Sequence, residues 1–166
     1  SLAEEFNIPI WEAQEMIDAW FKAAPDAKKF LDTCREAPIL GRVLVTPFGR
    51  KRRFGLVTKD NLNFIQNEAS NFPMQSISSD ITLHTGIIVQ PKLQKMGIPI
   101  VNFVYDSLIM ECLIDASLIT EVKHIIDEAL IEVEDRWLNT DIKFSMSHKV
   151  ATHWGNPSTA IKLEAA

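Results

Sequence analysis

The chain has 166 residues, 46% hydrophobic and 23% charged, with a formal net charge of −5. That length suits one domain or part of a larger one, and the composition excludes a disordered or low-complexity chain. The acidic balance gives no general electrostatic case for nucleic acid, so any such contact has to come from a local patch. No run of about 18 apolar residues occurs, which argues against a transmembrane helix and a membrane partner. The start carries no signal-peptide pattern, and it opens on Ser1 rather than Met, which reads as a processed, tagged or truncated start. Cys34 and Cys112 sit in apolar-patterned segments and form no motif. They read as buried thiols in a reducing, cytoplasmic compartment rather than as a disulfide or a metal site.

Ile10, Ala13, Ile17, Trp20 and Phe21 recur at helical spacing opposite Glu12, Glu15 and Asp18, with Pro9 fitting the first turn. Pro25 and Asp26 break and restart the pattern, and residues 26–37 read as a second helix with Ala27, Phe30, Leu31 and Cys34 inward. The aromatic residues here read as core. Residues 42–48 and 52–57 look like paired strands. Between them Arg50, Lys51, Arg52 and Arg53 put four consecutive cations on an acidic chain. Gly49 allows the turn and close backbone approach. The patch suits phosphate, and equally a solvated hairpin tip.

Asp60 can cap a helix through LNFIQNEASNF, which Pro73 should kink or restart. Asn71 and Gln75, four apart, then share one face, and their amides both donate and accept hydrogen bonds. That chemistry suits base edges or sugars, or an ordinary polar surface. Gly97 and Pro99 lead into a hairpin: 99–105 reads as a mostly buried strand by its β-branched and aromatic content and 108–113 as a second strand, with Asp106 and Ser107 as the two turn residues. A carboxylate at the tip of an apolar hairpin is costly to desolvate unless a metal ion or a cationic ligand meets it. Aspartate also favours turns in its own right.

Ser117 caps a long helix over 117–138, with Leu118, Val122, Ile125, Ile126, Ala129, Leu130, Val133 and Trp137 inward, and His124 solvated. Residues 142–150 alternate as a last strand, and the tail after Trp154 reads as frayed. His148 and His153 lack ligand spacing for zinc. The order predicts an α+β fold, an antiparallel sheet with helices packed on one face.

Taken together, several stretches carry a resemblance. NIPIWEAQEMIDAWF, TPFGRKRRF, NFPMQSISSDI and VYDSLIME, followed by Trp154, resemble in order and spacing the C-terminal palm portion of family A (DNA polymerase I-type) DNA polymerases, of a phage or phage-like kind. The resemblance implies an incomplete polymerase domain. Residues 1–41 would be a helical segment following the fingers, and 42–166 the palm with its catalytic hairpin at 99–113. It implies template-directed nucleotidyl transfer from a dNTP to a primer 3′-hydroxyl on primer-template DNA, in a bacterial cell or infected host. Asp106 matches the aspartate that binds two Mg²⁺ ions, Asn71 and Gln75 match minor-groove readers, and Arg50, Lys51, Arg52 and Arg53 match a basic hairpin on the DNA backbone. Tyr105 falls where a histidine is usual near the primer end.

Other positions depart from the pattern. Ser107 replaces a glutamate, Asn67 an arginine and Ser76 a glycine. The first catalytic motif with the other metal-binding aspartate, and the fingers helix, are expected upstream. The resemblance therefore implies an isolated chain that is inactive and needs an N-terminal polymerase polypeptide, as in a split or truncated enzyme, with Ser1 suiting the first residue after protein splicing. The alternative is a non-catalytic, polymerase-derived module that binds DNA or a partner.

Overall fold

The computed structural model describes residues 2–138 and 140–155 in full and the backbone of 161–163. Ser1, read above as a processed start, lies outside the described residues. Backbone contacts divide the chain into two compact units, Ser1–Gln75 and Ser76–Ala166, with the boundary inside one long helix. Among the described residues, no helix is long and apolar enough to cross a membrane.

The first unit begins with α1 (Leu2–Phe6), an element that the sequence pattern did not signal, then α2 (Ile10–Ala23) and α3 (Pro25–Glu36). Pro25 opens α3 at its first turn, where a missing N–H costs nothing. The helical spacing of α2 is as expected, but its large side chains are not core: Ile10 is 82% and Trp20 56% exposed, and Phe30 of α3 is also exposed. The buried positions of this unit are mostly small, Ala13, Cys34, Ala37 and Ala69, so its core leaves the bulky groups outside. A short ribbon follows, β1 (Leu44–Val45) against β2 (Lys51–Arg52), much shorter than the expected strands.

The helix α4 (Leu62–Lys95) runs through Pro73 and Pro91 without a break. The expected restart at Pro73 does not occur: each proline forfeits one backbone hydrogen bond, and the rest of the ladder carries the helix. Nor does Asp60 supply the start. Asn61 does, its carbonyl accepting from the Ile65 N–H while its side chain ties Thr58 and Leu56 into the approach. The far end closes with Gly97 N–H on the Gln94 carbonyl and Ile98 N–H on the Leu93 carbonyl, a Schellman ending.

The second unit takes up the rest of α4, then β3 (Ile100–Val104), β4 (Ser107–Met110), α5 (Ala116–Val133), a π-helical turn (Glu134–Leu138), β5 (His148–Val150) and β6 (Ile161–Leu163). Its core joins Val89, Leu93 and Ile98 to Val122, Ile126 and Ala129 of α5, with Ile100 and Met110 of the hairpin packed against them. The expected apolar stripe of α5 is therefore the buried one. Its cap is Asp115 rather than Ser117: the Asp115 carboxylate accepts from the Leu118 N–H at 2.8 Å and from the Ser117 hydroxyl. Those two bonds hold the Asp115 carboxyl below the usual carboxylate range.

The last strand is shorter than 142–150, and it pairs with β6 in the segment expected to fray. The fold is α+β, and its antiparallel pairing is spread over three separate two-stranded ribbons among the described residues. Cys34 is buried, and burial pushes its thiol pKa up. Cys112 is exposed, against expectation, because it follows β4 rather than lying within it.

Candidate nucleic-acid interface

The basic hairpin is built on Thr46, which is 5% exposed. Its N–H donates to the Arg50 carbonyl at 3.0 Å, its carbonyl accepts from Gly49 at 2.8 Å, and its hydroxyl accepts from the Arg50 N–H at 3.3 Å. Gly49 takes φ 79°, a left-handed conformation that costs most side chains about 1–2 kcal/mol. The tight turn hands the chain to β2 with its cations grouped.

Facing them in the same unit is the N-terminal half of α4. Asn67, Asn71 and Gln75 form one row at four-residue spacing, and Phe64, Glu68 and Phe72 form the neighbouring row. Both rows line an open groove of about 580 Å³ with Arg50, Lys51 and Arg52. Arg53 is exposed and does not line it. Arg52 is half-buried, ion-paired with Glu68, and its guanidinium lies 5.8 Å from the centre of the Phe54 ring. The fold thus brings five of the eight candidate residues, Arg50, Lys51, Arg52, Asn71 and Gln75, to one groove. Phe64, Glu68 and Phe72 were missed, although their four-residue spacing on the expected helix was the available signal.

Tyr105 and Asp106 belong to the second unit. Val104 pairs with Ser107, so the two turn residues are Tyr105 and Asp106, one position earlier than expected, and Ser107 opens β4. The shift follows from the register, in which Phe103 faces Leu108. Tyr105 is 93% exposed and takes φ 53°, a strained backbone for a non-glycine residue. The hairpin sits close on α4 at Gly86, where an added Cβ would lie 2.7 Å from the Phe103 ring and 3.2 Å from Leu108. A side chain at position 86 would push against the Phe103 ring, on the ribbon that carries Asp106.

Asp106 is exposed, and no three His, Cys, Asp or Glu side chains cluster as a metal site among the described residues. One hard, accessible carboxylate fits Mg²⁺ as a single ligand, since that ion takes one or two carboxylates and completes its shell with water and phosphate oxygens.

The family model for DNA polymerase family A matches residues 1–156. The chain belongs to DNA polymerase family A. It is 24% identical over 156 residues to the chloroplastic/mitochondrial DNA polymerase I A of Arabidopsis thaliana, which covers 92% of this chain and 15% of that protein. It is 34% identical over 116 residues to DNA polymerase I of Caldicellulosiruptor bescii, 66% of this chain and 14% of that one. This family A chain therefore spans about one seventh of the curated relatives it matches. Its fold is similar to the POL domain of Pol1 from M. smegmatis, a structure in complex with DNA primer-template and dNTP. The TM-score is 0.65 at 22% identity, over 78% of this chain and 23% of that one.

Proposed function

We propose that this chain is the C-terminal part of a DNA-directed DNA polymerase and that it grips primer-template DNA. The observation that carries the proposal is the groove in which Arg50, Lys51 and Arg52 meet Asn71 and Gln75. Cations there neutralise backbone phosphates, which accounts for affinity without sequence preference. Amides facing a minor groove meet acceptors at similar places in every correct pair, so they sense pair shape. Tyr105, beside Asp106, adds an exposed ring near the primer end. In this reading residues 1–41 continue from the fingers and 42–166 form palm.

Asp106 is this chain's contribution to a site for two Mg²⁺ ions. Such ions, when bound, stabilise charge on the attacking and leaving oxygens of a phosphoryl transfer. The carboxylate's exposure at a fixed turn supports that role: the turn sets its direction, and water reaches it. A further polypeptide supplies the second carboxylate and the dNTP-holding groups, so the isolated chain is inactive. The protein works in the cytoplasm of a bacterial cell or infected host, where Cys34 and Cys112 stay reduced.

Fluorescence anisotropy with a labelled primer-template tests the DNA-binding part. Lys51→Ala is expected to weaken binding and to lower the slope of log affinity against log salt by about 1. Affinity and slope both unchanged would remove the groove from the account. A second reading, a non-catalytic DNA-binding module, is favoured by Ser107, which puts a hydroxyl where the family resemblance expects a carboxylate. Under that reading Asp106→Ala leaves every activity of the reconstituted protein as it was.

A further inference from the structure

We propose that Glu68 is an internal competitor for DNA phosphate that sets how tightly this groove holds a duplex. The inference rests on the nucleic-acid reading of the groove. Of the side chains lining it, three are cationic and one is anionic. That anion is paired with a specific partner, because Glu68 Oε1 contacts Arg52 Nη2. Both side chains stay accessible, 36% and 41% exposed, so the pair lies within reach of a strand entering the groove.

A carboxylate on a guanidinium makes the same kind of charge-assisted bond that a phosphate oxygen makes. Arg52 thus already has an anionic partner before DNA arrives, and a phosphate oxygen that takes the same Nη2 gains little by replacing Glu68. The Phe54 ring adds to this hold on the guanidinium. Glu68 also lies one helical step from Asn67 and three from Asn71, so its negative charge borders the amide row and repels a backbone passing there. Lys51 then carries phosphate contact, while Arg52 with Glu68 forms a neutral stretch of wall. Glu68 acts through Arg52 and through its own charge, as a positioning residue.

The test is duplex affinity of the full chain by anisotropy, measured from low to high salt on wild type, Glu68→Gln, Arg52→Gln and the double variant. Glu68→Gln should bind roughly three- to tenfold more tightly at low salt, with a salt slope steeper by about 0.9, the signature of one more neutralised phosphate. Arg52→Gln, which leaves the carboxylate unopposed, should bind more weakly than wild type. The double variant, with the pair's charge neutral as before, should return close to wild type. A merely structural ion pair would change melting temperature without steepening the slope, and circular dichroism melts of each variant separate the two. Glu68→Met is made alongside, so that a folding failure of one variant leaves the measurement standing.

The inference is overturned if Glu68→Gln and Glu68→Met match wild type in slope, or if the double variant binds far below wild type, which would mean that Arg52 reaches phosphate in the native groove. A wild-type chain that binds no duplex at any salt overturns the groove reading and this inference together. Tight wild-type binding with an unmoved slope in the Glu68 variants overturns this one alone.

Discussion

Lys51, Arg52 and Arg53 are adjacent in sequence and differ in circumstance. Lys51 lines the groove, Arg52 lines it while paired to Glu68, and Arg53 lies outside it. Arg53→Ala is therefore expected to change duplex affinity and salt slope much less than Lys51→Ala; equal losses would show that the strand runs along the whole basic run. Asp127 offers a separate check on the second unit. Partial burial works to raise its pKa, but hydrogen bonds from Lys123 at 2.7 Å and His148 at 2.8 Å, with their charges, hold it below the ordinary value of 3.8. A carboxyl depressed in the folded state stabilises above its unfolded pKa, and that contribution is lost as pH falls through the folded value. The melting temperature of wild type should thus drop on acidification below about pH 4, and Asp127→Asn should be less stable at neutral pH but flatter across that range. Parallel melting curves for the two proteins from pH 7 to pH 3 would refute this.

At the scale of elements, much of the fold was legible. The apolar spacing of α5 identified the stripe that is packed, and the β-branched run of β3 identified a hairpin. That strand is not the mostly buried one its composition suggests: Val101, Asn102 and Phe103 are exposed, and the hairpin meets the core through Ile100 and Met110. What the pattern could not supply was competition between neighbours. Asp115 and Ser117 are both good caps, and only the geometry of the Leu118 N–H selects Asp115. Pro73 breaks helices in isolation, yet α4 has 34 residues over which to distribute the loss of one bond. The turn at Tyr105–Asp106 was misplaced by one because residue type favours Asp-Ser and cross-strand register decides. The groove residues Asn71 and Gln75 were readable from helical spacing, whereas Glu68 as the partner of Arg52, 16 positions away, was not. Gly86→Val is the sharpest test of how α4 seats the hairpin. Its side chain collides with Phe103, and overpacking of this kind costs about 1–3 kcal/mol. Denaturant unfolding should show that loss, and Phe103→Ala added to it should recover part; a stability equal to wild type would mean that the ribbon is not held there.

For the molecule as a whole, the large exposed apolar side chains are as informative as the core. Ile10, Trp11, Met16 and Trp20 of α2 are at least half exposed, and Leu113 and Ile114 after β4 are nearly bare. Exposed apolar groups in such number are what the proposed further polypeptide would cover. This agrees with a chain spanning about one seventh of its relatives. The isolated chain should accordingly bind a hydrophobic dye in its native state, and dye emission at the level of a compact monomer would argue otherwise.

The claim that a polymerase site is completed around this chain is tested most directly by primer extension. The chain would be mixed with an N-terminal family A polypeptide that carries the fingers and the other catalytic carboxylate, in the presence of Mg²⁺ and dNTPs. The account predicts no extension by either part alone and extension by the mixture. Asp106→Ala should then abolish extension while duplex binding persists. Extension that is undiminished by Asp106→Ala would contradict it.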